Sequence, residues 1–246
     1  MKVNFEKIKE LDFKTNEAYK TLRTNISFSG EDVRVIAFTS SVPNEGKSAV
    51  SFHLAESLAE DNKKVLYIDA DIRKSVTVAR YGVDIETKGL SHYLTKQSEL
   101  EDVIYETNIK NFNIIFTGQV APNPSELLGN SRFKKLIAYA REQFDYVILD
   151  CPPLGSVIDA AIVAKECDGA IIVIETDNIS YKVVQRVKKQ LEQSGCKILG
   201  AVLNKVEMGG KGYGYYGKGY YGSYYGRYYG TYGDYGDSNK TSENKK

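Results

Sequence analysis

The segment Ser41-Val-Pro-Asn-Glu-Gly46-Lys47-Ser48 matches the pattern G-x-x-x-x-G-K-[ST] except at its first position, where Ser41 stands for glycine. Such a loop, set between a strand and a helix, offers backbone N–H groups to a phosphate chain, and the helix N-terminus adds its positive end. The candidate cradle is Asn44, Glu45, Gly46, Lys47, Ser48 and Ala49. Lys47 is placed to reach the outer phosphates and the Ser48 hydroxyl to ligate Mg2+. Asp69 and Asp71 follow VLYI, and Asp150 follows YVIL. Carboxylates gathered beside a triphosphate repel it unless a divalent cation lies between them, so three of them near a phosphate loop imply Mg2+. Asn204 ends the last apolar run and reads equally well as a base-recognising side chain or as a turn residue.

The elements that must position these groups alternate along the chain. Residues 33–39 (VRVIAFT) form a β-branched run, and after the loop Val50, Leu54 and Leu58 recur at helical spacing. Further short apolar runs lie at 65–69, 113–118, 146–150, 169–175 and 197–204, separated by helical patterns. Strands that are apolar on both faces are buried on both, which predicts an α/β fold with a mainly parallel sheet and helices on either side. Carboxyl ends of such strands face the ligand, and Asp69, Asp71 and Asp150 all stand there. Ser131 and Ser180 are the expected caps of two core-facing helices, while residues 75–112, broken by Gly82 and Gly89, predict only short pieces.

From Gly209 the composition changes. Residues 209–237 hold eleven glycines, eleven tyrosines and seven other residues. Without a Leu, Ile or Val, this stretch has nothing to form a core, so 209–246 is expected to be a disordered tail. Residues 1–208 carry 27 basic and 29 acidic side chains and the remainder six and three. Neither part has the basic footprint of a nucleic-acid binder. Three widely spaced cysteines make no disulfide framework, and no apolar run suits a signal peptide or a membrane span, which predicts a cytoplasmic protein.

Together the loop 41–48, the segment IDADIR (68–73), the segment ILDCPP (148–153) and the tyrosine cluster resemble the bacterial tyrosine kinases of capsule and exopolysaccharide assembly, in their separate-subunit form. The resemblance covers residue 15 onward. It implies a P-loop fold of the MinD/ParA kind that binds ATP and Mg2+. Lys47, Asp69, Asp71 and Asp150 are then catalytic, and Ser48, Asp71 and Asp150 form the metal set. Asp71 is the choice for accepting the phenolic proton, although Asp69 and Asp71 are interchangeable on sequence grounds. The implied acceptors are Tyr213, Tyr215, Tyr216, Tyr220, Tyr221, Tyr224, Tyr225, Tyr228, Tyr229, Tyr232 and Tyr235. Glu17, Lys20 and Arg23 match the family's E-x-x-R-x-x-R, with Lys20 in place of the middle arginine, and imply a homo-oligomeric ring. The expected domains are a helical segment over 1–30, a kinase domain over 31–208 and the tail. The resemblance also implies a membrane-spanning activator, the polysaccharide co-polymerase subunit, through which the chain associates peripherally with the membrane, and a phosphotyrosine phosphatase.

Two other functions fit parts of the sequence. A MinD/ParA-like ATPase switch shares the fold, but such proteins carry an early loop lysine where this chain has Val42, and it leaves the tyrosines unexplained. A scaffold with a sticky Gly/Tyr tail explains the tyrosines and leaves the loop unused. No H-R-D or D-F-G segment is present, so kinase chemistry has to rest on the P-loop.

Overall fold

The computed structural model describes residues 1–83 and 87–206; residues 84–86 and 207–246, and with them all eleven candidate acceptor tyrosines, lie outside the described residues. Met1–Lys205 forms one compact unit. Its sheet has eight strands, β1 (Lys2–Val3), β2 (Val35–Ser40), β3 (Val65–Asp69), β4 (Tyr105–Thr107), β5 (Phe112–Ile115), β6 (Tyr146–Asp150), β7 (Gly169–Glu175) and β8 (Ile198–Asn204). The spatial order is β1-β4-β5-β3-β6-β2-β7-β8, and only the β4–β5 pair is antiparallel. The chain moves from β2 past β6 to β3 and later returns to β7 on the other side of β2. That reversal opens a crevice at the carboxyl ends of β2 and β6, where open α/β sheets bind ligands.

Alternation along each strand builds two cores. Val35, Ala37, Leu66, Ile68, Val147 and Leu149 face one layer, packed by α6 (Ser131–Gln143), α7 (Asp159–Ala164) and α8 (Tyr181–Gln193). Ile36, Phe38, Val65, Tyr67 and Ile148 face the other, where α2 (Lys47–Glu60) inserts Phe52, Leu54 and Leu58. Two-sided burial is why these strands read as continuous apolar runs.

Several local expectations are corrected. Asn130, not Ser131, caps α6, its Oδ1 accepting from Phe133 N at 3.0 Å. Ser180 does occupy the cap position of α8, but its side chain makes no capping bond. Residues 1–30 are helical only in α1 (Phe13–Ser27), capped by Asp12. Before it, β1 pairs with β4, and Phe5 packs edge-on against Phe52, Tyr81 and Phe112, so this segment belongs to the core of the main unit. Residues 75–112 contain α3 (Thr77–Tyr81), α4 (Leu90–Leu94) and β4, each of five residues or fewer.

Candidate active site

The phosphate loop runs from the end of β2 into α2. Gly46 is the helix N-cap at φ 90°, in the left-handed region, and Asn44 stands at φ 70°. A Cβ on Gly46 would lie 2.0 Å from Asn204 Nδ2, so both backbone geometry and space demand glycine. Among the described residues the N–H groups of Asn44 through Ser48 have no acceptor, whereas Ala49 N is spent on Gly46 O at 3.0 Å. Five free donors in one turn at a helix N-terminus form an anion seat. Ala49 lines the cleft but does not add a donor to that seat.

Glu45 gives its N–H to the seat, but its side chain does not line the cleft. Its buried carboxylate accepts from Ser41 N (2.6 Å) and Val42 N (2.8 Å) with Oε2 and from Glu175 N (3.2 Å) with Oε1, tying the loop to itself and to β7. Asn204 Nδ2 donates to Glu45 O at 2.9 Å, and Lys205 Nζ donates to Asn44 O and pairs with Glu175, both at 2.9 Å. Asn204 therefore fastens the end of β8 to the loop with the amide that was a candidate for base recognition.

Behind the loop the register of β3 and β6 sets Asp69 directly opposite Asp150. Lys47 Nζ lies between the carboxylates, 3.3 Å from Asp150 Oδ1 and 3.9 Å from Asp71 Oδ2, and 3.2 Å from Ser48 Oγ. Burial alone would lower the Lys47 pKa, but the fields of Asp150, Asp71 and Asp69 outweigh it and the net shift is upward. Asp69 is almost fully buried; burial first, then the charge of Asp150, pushes its carboxyl up to about 7. Its oxygens are engaged internally, Oδ1 by Asp71 N (3.3 Å) and Oδ2 by the Ser75 hydroxyl. Asp71 is raised chiefly by burial and is opposed by Lys47. One Asp71 oxygen caps Lys74 N at 3.1 Å, and the other is directed to Lys47. Both aspartates line the cleft, but Asp69 has both oxygens in hydrogen bonds, whereas Asp71 Oδ2 faces the Lys47 ammonium at 3.9 Å and accepts no hydrogen bond among the described residues.

Asp69 gives a pH signature. A carboxyl whose pKa rises from 3.8 to about 7 on folding binds its proton more tightly in the native state, so its contribution to stability is full below pH 4 and is lost as pH climbs to about 7. Without nucleotide or divalent ion, Asp69→Asn is expected to melt above the wild type at pH 8, with the difference closing towards pH 4. Thermal melts across this range check it; a difference independent of pH would contradict the burial assigned to Asp69.

Two features escape the motif reading, the Arg73–Asp159 pair and the basic residues before α1. Arg73 forms a two-pronged pair with buried Asp159, at 2.6 and 3.0 Å, and Ser125 Oγ donates to the same carboxylate at 2.6 Å. Burial would raise the Asp159 carboxyl, but these donors hold it below the usual range, and the pair pins the segment after Asp71 to the start of α7. Cys151 has its thiol pushed well up, by burial above all, and is no nucleophile. The residues before α1 reach the site as well: Lys7 and Lys9 line the same cleft of about 690 Å³ as Gly46, Lys47, Asp71 and Asp150.

The three residues matched to a ring contact pair within the chain. Lys20 Nζ is 2.7 Å from Glu17, and Arg23 Nη1 donates to Ser57 O at 2.6 Å near the end of α2.

The fit of the site to Mg2+ follows from charge. Three carboxylates surround one ammonium, two of them with raised pKa, so the cluster is short of positive charge. Ser48 Oγ, Asp71 and Asp150 are the oxygens available to a divalent ion, which commonly uses one or two carboxylates together with phosphate oxygens. Among the described residues no group of three or more His, Cys, Asp or Glu side chains forms a metal site by itself, so a divalent ion here would need the Ser48 hydroxyl and phosphate oxygens to complete its shell.

Comparison with known proteins agrees with this geometry. A family model described as an AAA domain matches residues 33–198. Tyrosine-protein kinase CpsD of Streptococcus agalactiae is 45% identical over 204 residues, covering 83% of this chain and 89% of that protein. The kinase domain of Escherichia coli tyrosine kinase ETK is 37% identical with a TM-score of 0.74, covering 81% of this chain and 80% of that one. The septum site-determining protein MinD of Pyrococcus horikoshii, complexed with Mg-ADP, is 27% identical with a TM-score of 0.60 over 70% of each chain.

Proposed function

The chain belongs to the bacterial tyrosine-protein kinases built on the P-loop fold, and from that premise we propose that it transfers the γ-phosphoryl group of ATP to the tyrosines of its own 209–237 segment. The observation that carries this reading is the Lys47–Asp71–Asp150 cluster behind a free anion seat, in a chain whose next residues after Lys205 lead into eleven tyrosines. Phosphoryl transfer asks mainly for positioning and charge stabilisation. The N–H groups of Asn44 to Ser48 bind the phosphates, and Lys47 neutralises charge on the outermost one. Mg2+, held by Ser48, Asp71 and Asp150, supplies further neutralisation when bound. A tyrosine phenol titrates near 10, so Asp71 Oδ2 serves to take or orient its proton. Asp69, hydrogen-bonded on both oxygens, holds Asp71 in place, and Glu45 and Asn204 keep the loop open.

Capsule or exopolysaccharide synthesis is the process we assign to the activity. The proposed partners are a membrane-spanning activator that brings the chain to the membrane and a phosphotyrosine phosphatase. None of the helices described is long and apolar enough to cross a membrane. A ring through Glu17, Lys20 and Arg23 would have to recruit side chains already paired within the subunit, so a partner must exchange for Ser57 O at Arg23. Incubation with γ-labelled ATP, followed by acid hydrolysis, tests the activity. Label on the precipitated, nucleotide-free protein recovered as phosphotyrosine supports it, whereas phosphate released into the mixture before hydrolysis, with no label on protein tyrosine, would favour an ATPase switch.

A further inference from the structure

Around the carboxylate-rich centre, the rim of the cleft carries basic side chains that no described carboxylate pairs. Lys47 is matched by the aspartates, Arg73 by Asp159 and Lys205 by Glu175. Lys7, Lys9, Lys74 and Arg80 line the same cleft, and among the described residues none of them is in an ion pair. Lys7 and Lys9 are exposed but held on an anchored backbone. Phe5 is fixed in the aromatic cluster, Phe5 N donates to Asn108 Oδ1 at 2.9 Å, and Glu6 N and Lys7 N donate to Tyr81 O at 3.1 and 3.2 Å. Gly82, at φ 66°, packs so closely that a Cβ there would lie 2.9 Å from Lys7 Cγ. An extended N-terminal strap, the segment after β3 that carries Lys74, and α3 thus build a basic lip from elements separate from the phosphate loop.

We propose that this lip is a phosphotyrosine subsite, in which Lys7 and Lys9, with Lys74 and Arg80, hold a phosphate already placed on an acceptor segment while a neighbouring tyrosine is presented to Asp71. The inference rests on the tyrosine-acceptor reading above and adds a preference for primed substrate. Charge supports the occupant. The unmodified stretch 209–246 has six basic and three acidic residues, so a basic lip repels it. Each phosphotyrosine contributes about −1.5 to −2 charge and turns repulsion into attraction. The acceptors come in adjacent pairs, at 215–216, 220–221, 224–225 and 228–229, so a phosphate on one member leaves another tyrosine beside it. The first transfer is then slow and the next ones faster, and the pairs fill together.

The test uses the full chain, saturated with Mg2+ and a non-hydrolysable ATP analogue, and a labelled synthetic peptide with the sequence of residues 213–226, unmodified or with one phosphotyrosine at the position of Tyr216. The phosphopeptide is expected to bind about tenfold more tightly, as several exposed ion pairs would provide, with a gap that narrows in high salt. In the exposed double variant Lys7→Gln/Lys9→Gln the gap should fall to about twofold or less while affinity for the ATP analogue, which also reports a folded site, is unchanged. Equal affinity of the wild type for the two peptides would overturn the proposal. So would a gap that survives in the variant, or a joint loss of peptide preference and nucleotide affinity, which would assign the lip to ATP phosphates. Binding needs no phosphoryl transfer, so this outcome is distinct from absence of phosphotyrosine in the labelling experiment, which would sink the kinase reading itself.

Discussion

Lys47→Met is expected to abolish phosphotyrosine formation, with a loss on the order of 10³-fold, the range seen when a preorganised charge-stabilising donor is removed from a reacting centre. The substitution keeps the length and apolar stem of the side chain and removes only the ammonium. What remains are Asp69, Asp71 and Asp150, with no cation among them and two of the three buried almost completely. Removing one partner of a buried pair leaves uncompensated charge, at a cost of roughly 3–5 kcal/mol, which protonation of Asp69 relieves in part. The ligand-free variant should therefore melt below the wild type at pH 8 and approach it at pH 5. Autophosphorylation assays and melts at the two pH values check both statements. A variant as active as the wild type would remove Lys47 from the mechanism.

Gly46→Ala should weaken nucleotide binding by roughly 100-fold. A non-glycine residue held at φ 90° costs about 1–3 kcal/mol. The new Cβ would also stand 2.0 Å from Asn204 Nδ2, so Asn204 must leave Glu45 O or the loop must move. Either response disturbs the five free N–H groups of the anion seat. Asn204→Ala alone removes one hydrogen bond between β8 and the loop, typically worth about 1 kcal/mol, and should weaken binding only slightly. The two changes should not add, since the second removes the atom that the first strikes. Titration of an ATP analogue against the three variants checks this. Additive losses would mean that the Gly46–Asn204 approach does not govern the loop.

These positions also show what a sequence reveals. β2, β3, β6, β7 and β8 were legible because burial on both faces leaves an unbroken apolar run, and the loop was legible because phosphate geometry demands Gly-Lys-Ser at a fixed spacing. The two- and three-residue strands β1 and β4 had no such signal, since their pairing is decided by where Val3, Phe5 and Tyr105 fit the finished core. Asp159 lies 86 residues beyond Arg73, and a tertiary ion pair of that separation leaves no local pattern. Glu45 sits inside the motif and keeps its N–H in the anion seat, but no local pattern shows that its carboxylate holds Ser41 N, Val42 N and Glu175 N. Asp69 and Asp71, indistinguishable as letters, differ once burial and hydrogen bonds are known. The basic strap could not be foreseen, because Lys7 and Lys9 meet the cleft only through the anchoring of Phe5 beside Tyr81.

The contrast between a kinase and an ATPase switch turns on where the phosphoryl group goes, and mass spectrometry of the full chain after incubation with MgATP measures this most directly. Phosphate is expected on tyrosines between Tyr213 and Tyr235, several per chain, and on none of them in Lys47→Met. Release of inorganic phosphate with these tyrosines unmodified, or phosphotyrosine confined to residues 1–205, would contradict it.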